Sequence, residues 1–73
     1  METNELSCIL KNMYDDAVKD KITMIILFGI KYADEIRNNG TSPKDILKAA
    51  KMPDSYATEI YKGMRLSKYV DVK

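Results

Sequence analysis

Adjacent carboxylates occur twice, at Asp15-Asp16 and Asp34-Glu35. Consecutive residues on a helix point about 100° apart, so neither pair converges as a general acid and base. The 73-residue chain has no histidine and a single cysteine, Cys8. That composition removes His-based catalysis, His metal sites, intrachain disulfides and Cys-cluster zinc sites. No Gly-rich phosphate loop and no activated nucleophile is present. The sequence therefore reads as a non-enzyme, with no catalytic residues, no metal and no cofactor. What remains is binding chemistry, and it is unevenly placed. Residues 1–40 carry a net charge of −2 and residues 41–73 a net charge of +3. Hydroxyls and cations gather in the second half at Thr41, Ser42, Lys44, Lys48, Lys51, Lys62, Arg65 and Lys68, which is where an anionic partner would be held.

Those residues need a scaffold. Apolar residues make up 45% and charged residues 32% of the chain, a folded rather than a disordered composition. At this length the chain is one domain with a thin core. Residues 1–40 read as a helical hairpin scaffold, and residues 41–73 as the binding half with a C-terminal tail. The longest apolar run, Ile22 to Ile30, is interrupted by Thr23 and falls far short of the ~20 residues that span a bilayer. The acidic start Met1-Glu2-Thr3-Asn4-Glu5 does not resemble a secretory signal, and a free Cys8 suits the cytoplasm.

The periodicity predicts an all-α bundle of four to five helices. Leu6, Ile9, Leu10, Met13, Tyr14 and Ala17 form one stripe of a helix over about 4–18, with Thr3 or Asn4 as cap and Cys8 as a small filler. Asp20 is placed to cap a second helix whose stripe is Ile22, Ile25, Ile26, Gly29, Ile30, Ala33 and Ile36, ending at Asn39-Gly40. Gly29 in mid-helix costs about 1 kcal/mol against Ala, which close approach of another backbone would explain. Ser42, Pro43 and Asp45 form the clearest start signal, as cap, first position and third position of a short helix over about 43–51 that stops before Pro53. Another helix opens at Asp54-Ser55 with Ala57, Ile60, Tyr61 and Met64 on one face, and Gly63 either ends it or is absorbed in it. On spacing, Tyr61 faces inward and Tyr56 outward. Leu66, Tyr69 and Val70 suggest a further buried patch, and residues 69–73 alternate like a short strand: a wing, an edge strand or a frayed tail.

The stretch from Asp45 to Gly63 resembles the helix-turn-helix of bacterial and phage repressors. Ile46, Ala49 or Ala50, Met52, Ala57, Ile60 and Tyr61 fill its apolar slots, and Lys62-Gly63 matches its common ending. The resemblance implies double-stranded DNA as partner, with Asp54, Ser55 and Glu59 in base-reading slots and Tyr56 and Thr58 in backbone-contact slots. The helix start at Thr41, Ser42 and Lys44 is a natural anion site, with Lys48, Lys62 and Arg65 adding positive charge around it. Two departures stand out. Lys51 occupies the turn slot that usually holds glycine; either it is left-handed, at about 1 kcal/mol or more, or the turn has another shape. Asp54 and Glu59 bring negative charge toward phosphate, although Glu can accept from the cytosine amino group.

The first function implied is a small DNA-binding regulator or recognition module acting as a homodimer, because one short helix reads too few base pairs. The alternative is a protein–protein adaptor or inhibitor that uses the same fold and presents Tyr56, Glu59 and Met64. A third reading is assembly alone, through the apolar second helix. Salt dependence of binding separates the first two.

Overall fold

The structure, a computed structural model, describes residues 2–70. It contains helices α1 (Thr3–Asp16), α2 (Lys21–Lys31), α3 (Ala33–Asn38), α4 (Pro43–Ala49) and α5 (Ala57–Leu66), with a 3-10 turn at Asp54–Tyr56 leading into α5. No strand occurs among the described residues. Tyr69 lies in a turn and not in an extended strand, and residues 71–73 of the expected strand lie outside the described residues.

The core is drawn from every helix. Leu6 and Leu10 of α1, Ile25 and Phe28 of α2, Ile36 of α3, Ile46 and Leu47 of α4 and Ile60 of α5 are fully buried. Ile9, Met13, Tyr14 and Met64 pack around them. The first stripe thus faces inward as its spacing requires, although α1 ends at Asp16, not at residue 18, leaving Val18 exposed. Cys8 is also exposed and fills nothing, because it stands off the stripe.

The expected second helix is broken into α2 and α3 at Tyr32, whose backbone (φ −111°, ψ 18°) leaves helical geometry. Hydrogen bonding persists through the bend: the Tyr32 N–H donates to Phe28 O at 3.0 Å and the Ile36 N–H to Tyr32 O at 3.0 Å. The Tyr32 ring packs on Phe28, centroids 5.2 Å apart, and the bend lets Ala33 and Ile36 reach the core. Asp20 precedes α2 without a side-chain cap, because its backbone is left-handed (φ 57°). Lys21 Nζ instead ties this connection to Tyr14 O at 2.7 Å. Nor does Thr3 or Asn4 cap α1; Glu2 holds that position without a side-chain bond, and Thr3 Oγ1 donates to Thr41 Oγ1 at 3.0 Å.

The closest packing is between α2 and α5, at Gly29 and Gly63. A Cβ on Gly29 would collide with the Ile60 carbonyl oxygen and lie 3.1 Å from Gly63 Cα. A Cβ on Gly63 would collide with the Ile26 carbonyl oxygen and lie 2.9 Å from both Gly29 Cα and Ile30 N. Backbone meets backbone here, and a side chain on either helix would hold the two apart. Gly63 is therefore absorbed within α5.

Gly63→Ala should be costly despite a gain of about 1 kcal/mol in helix propensity. Backbone atoms must move to admit the methyl, an overpacking cost of about 3 kcal/mol or more. Urea melts should show a net loss of about 2 kcal/mol or more. Gly40→Ala, at φ +66° with nothing within 4 Å, should lose only about 1 kcal/mol through backbone strain. A Gly63→Ala protein as stable as wild type would contradict the packing described.

Candidate nucleic-acid interface

The turn between α4 and α5 shows how a lysine replaces the customary glycine. Lys51 is left-handed (φ 59°). Its N–H donates to Lys48 O at 3.1 Å, and the Met52 N–H donates to Leu47 O at 2.9 Å. These are the paired bonds of a Schellman ending, with Met52 and Leu47 both buried in its apolar contact. This ending, and not Pro53, stops α4 at Ala49. Pro53 instead leads into the 3-10 turn, where the Tyr56 N–H donates to Pro53 O at 3.3 Å. Of the apolar slots expected for the motif, Ile46, Ala50, Met52, Ala57 and Ile60 are buried, while Ala49 is exposed.

At the start of α4, Ser42 Oγ accepts from the Asp45 N–H at 3.2 Å and Asp45 Oδ2 accepts from the Ser42 N–H at 3.3 Å. The reciprocal box fixes the helix entry. It also puts the protein's own carboxylate where an external anion was expected. Thr41 is engaged by Thr3, whereas Lys44 and Lys48 are exposed.

The two tyrosines exchange the places that spacing suggested. Tyr61 is 46% exposed, whereas Tyr56 is half-buried and packs against the core. The physical reason is Tyr14. Its hydroxyl shares a hydrogen bond with that of Tyr56 at 3.1 Å, and the ring centroids lie 5.7 Å apart. Lys21 Nζ sits over the Tyr14 ring, 4.6 Å from its centroid. The Tyr14 hydrogen bond, followed by burial and neighbouring negative charge, raises the Tyr56 phenol above its ordinary pKa. With Tyr56 pulled inward ahead of α5, and Gly63 against α2, Tyr61 is turned out.

Because α5 runs through Gly63, the exposed residues Thr58, Tyr61, Lys62 and Arg65 recur at helical spacing and form one outward face, continued by Lys68 and Tyr69. No carboxylate interrupts it. Glu59 is off this face; its side chain is 20% exposed, and it approaches Lys62 Nζ at 3.9 Å. Asp54 and Ser55 are exposed, but they stand in the 3-10 turn that precedes α5 and not on the helix itself. The structure thus joins Thr58, Lys62 and Arg65 and leaves Asp54, Ser55 and Glu59 apart. Lys68 joins the face although no repressor slot reaches it, and Tyr61 joins it although it was expected in an inward, apolar slot. Their spacing from Thr58 was the available signal, but it holds only if the helix runs through Gly63, which the sequence left open.

The end of α5 is held from outside. Met64 O accepts from Arg37 Nη2 at 3.1 Å and from Ser67 Oγ at 2.5 Å. Leu66, Tyr69 and Val70, expected to be buried, are 43%, 82% and 48% exposed; Leu66 is the last residue of α5, and Tyr69 and Val70 lie in and after the turn beyond it. Among the described residues, no group of cysteines and carboxylates could hold a metal ion, and no helix is long and apolar enough to cross a membrane.

The model of a protein family described as an HTH-like domain, HTH standing for helix-turn-helix, matches residues 2–73. No curated protein and no solved structure matches the chain.

The Tyr14–Tyr56 pair makes a pH prediction. Raising the folded-state pKa of Tyr56 means that the folded state favours the neutral phenol. The stabilisation is present below the ordinary phenol range and is lost as pH rises through the raised value. Tyr14→Phe should lower the Tyr56 pKa toward the ordinary phenol value, followed by tyrosinate absorbance, and remove the Tyr14-dependent part of the alkaline loss of stability. An unchanged titration curve for the remaining tyrosines would refute the coupling.

Proposed function

The chain belongs to the HTH-like domain family, and from that premise we propose that it binds double-stranded DNA through the outward face of α5. The observation that carries the reading is that face itself: Thr58, Lys62, Arg65 and the adjoining Lys68 present hydroxyl and positive charge with no carboxylate among them. Long cations such as Lys62 and Lys68 on an exposed helix engage phosphates on either side of a groove that admits a helix. Lys44 and Lys48 of α4 add to the field. Ser42 and Asp45 serve mainly to fix the entry of α4, and Tyr56 to position the 3-10 turn through Tyr14.

The protein acts as a cytoplasmic, non-catalytic DNA-recognition module, a transcriptional regulator in the simplest case. It works as a homodimer, because an α5 of 10 residues reads too few base pairs alone. One observation favours a second reading, a protein partner gripping the same end of α5. Tyr61, Leu66, Tyr69 and Val70 are exposed there, and tyrosine and arginine are the residues that anchor protein interfaces.

Binding to random-sequence duplex DNA, followed at about 50 and 200 mM salt, tests the proposal. Affinity should fall steeply between the two, and Lys62→Ala and Lys68→Ala should each reduce the salt slope by about 1 while weakening all sequences alike. Light scattering on the same samples should give twice the monomer mass. A folded protein that ignores duplex DNA at low salt overturns the reading in favour of the protein partner.

A further inference from the structure

We propose that Arg65 and Tyr61 are the base-reading residues of α5, Arg65 for a guanine and Tyr61 for the methyl of a thymine, and that Asp54 and Glu59 read no base. The proposal rests on the duplex-DNA reading and goes beyond it by moving the reading register from the entry of the helix toward its C-terminal half.

Three observations support the shift. First, the acidic residues in the repressor-like slots are not on the cationic row: Glu59 is largely covered and turned toward Lys62, and Asp54, though exposed, lies ahead of α5 in the 3-10 turn, about two turns of helix before Tyr61. Second, the side chains that replace them have the right chemistry. Arg65 is exposed, and no carboxylate of the described residues pairs with it, whereas Lys62 has Glu59 and Arg37 has Asp34. A guanidinium fork matches the paired acceptors of a guanine edge in the major groove, and an apolar surface matches the thymine methyl. Tyr61 supplies such a surface one turn before Arg65 on the same row. Their separation along the helix, about 6 Å, corresponds to roughly two base steps. Third, the backbone immediately before Arg65 is fixed. Gly63 is pressed against Gly29, and Met64 O is held by Arg37 and Ser67. A fixed base limits the ordering cost when the long side chain engages its target.

The test is selection of bound sites from a random duplex library, with helical content of every variant checked by circular dichroism. Wild type should select a site containing a guanine and a thymine about two steps apart. Arg65→Ala should lose the guanine preference and bind the selected site about ten- to a hundredfold more weakly, with at most a few-fold change on random duplex. Tyr61→Ala should lose the thymine preference, Tyr61→Phe should keep it, and Glu59→Gln should leave the preferred bases unchanged. The assignment is overturned if Arg65→Ala weakens selected and random duplex by the same factor, which would make Arg65 a phosphate contact, or if Glu59→Gln changes the selected bases. Selection of no preferred site by a wild type that still binds duplex also overturns it while leaving the duplex reading standing. Failure of folded wild type to bind any duplex removes both.

Discussion

The contact between Gly29 and Gly63 sets the rest of this structure. Two helices approach until backbone atoms touch, and that approach decides which side of α5 is buried. Ala57, Ile60 and Gly63 turn inward, so Thr58, Lys62 and Arg65 must turn out. A glycine within a helix loses about 1 kcal/mol of propensity, and here two are used at one crossing. The return is close packing of two helices in a domain whose small size leaves few other places to bury surface. The candidate interface is the opposite side of that crossing, and its residues have their direction because of it.

A second set of interactions fixes the ends of the helix-turn-helix. Ser42 and Asp45 close the start of α4, and the left-handed Lys51 closes its end. A lysine in that conformation is strained by about 1–2 kcal/mol relative to glycine, and the paired carbonyl bonds with the buried Met52–Leu47 contact offset it. Tyr14 then holds Tyr56 at the entry of α5, and Arg37 holds Met64 near its exit. Residues of the N-terminal helices thereby orient both ends of α5, although none of them lies on its outward face.

Charge is arranged to the same end. The net charge of the chain is only +1, too small to mark a nucleic-acid-binding protein by itself. Folding separates the signs locally. Asp45 is spent on a helix start, Asp34 on Arg37, and Glu59 is turned aside toward Lys62, while Arg65 and Lys68 stay outward. A partner meeting α5 encounters a field that the overall composition does not reveal.

Much of this was determined by sequence alone. Apolar spacing marked the inward faces of α1 and α4 and only part of that of α2, where Ile22 of the expected stripe is 42% exposed and Phe28, off it, is fully buried. Ser42-Pro43-Lys44-Asp45 marked a helix start, and the run from Asp45 to Gly63 carried the helix-turn-helix pattern. These signals are local, because periodicity and caps act within a few residues. Other features depended on contacts between distant segments. The bend at Tyr32 follows packing on Phe28 and the core. The reversal of Tyr56 and Tyr61 follows a hydroxyl of α1 that is 42 residues from its partner. Whether Gly63 ends a helix or lies inside one was settled by Gly29 across the crossing, because glycine is compatible with both and only the neighbouring backbone discriminates. The sequence therefore determined where the chain is helical, and the tertiary structure decided where the second helix breaks and which side of α5 faces outward, since burial is a property of what packs against a residue and not of the residue itself.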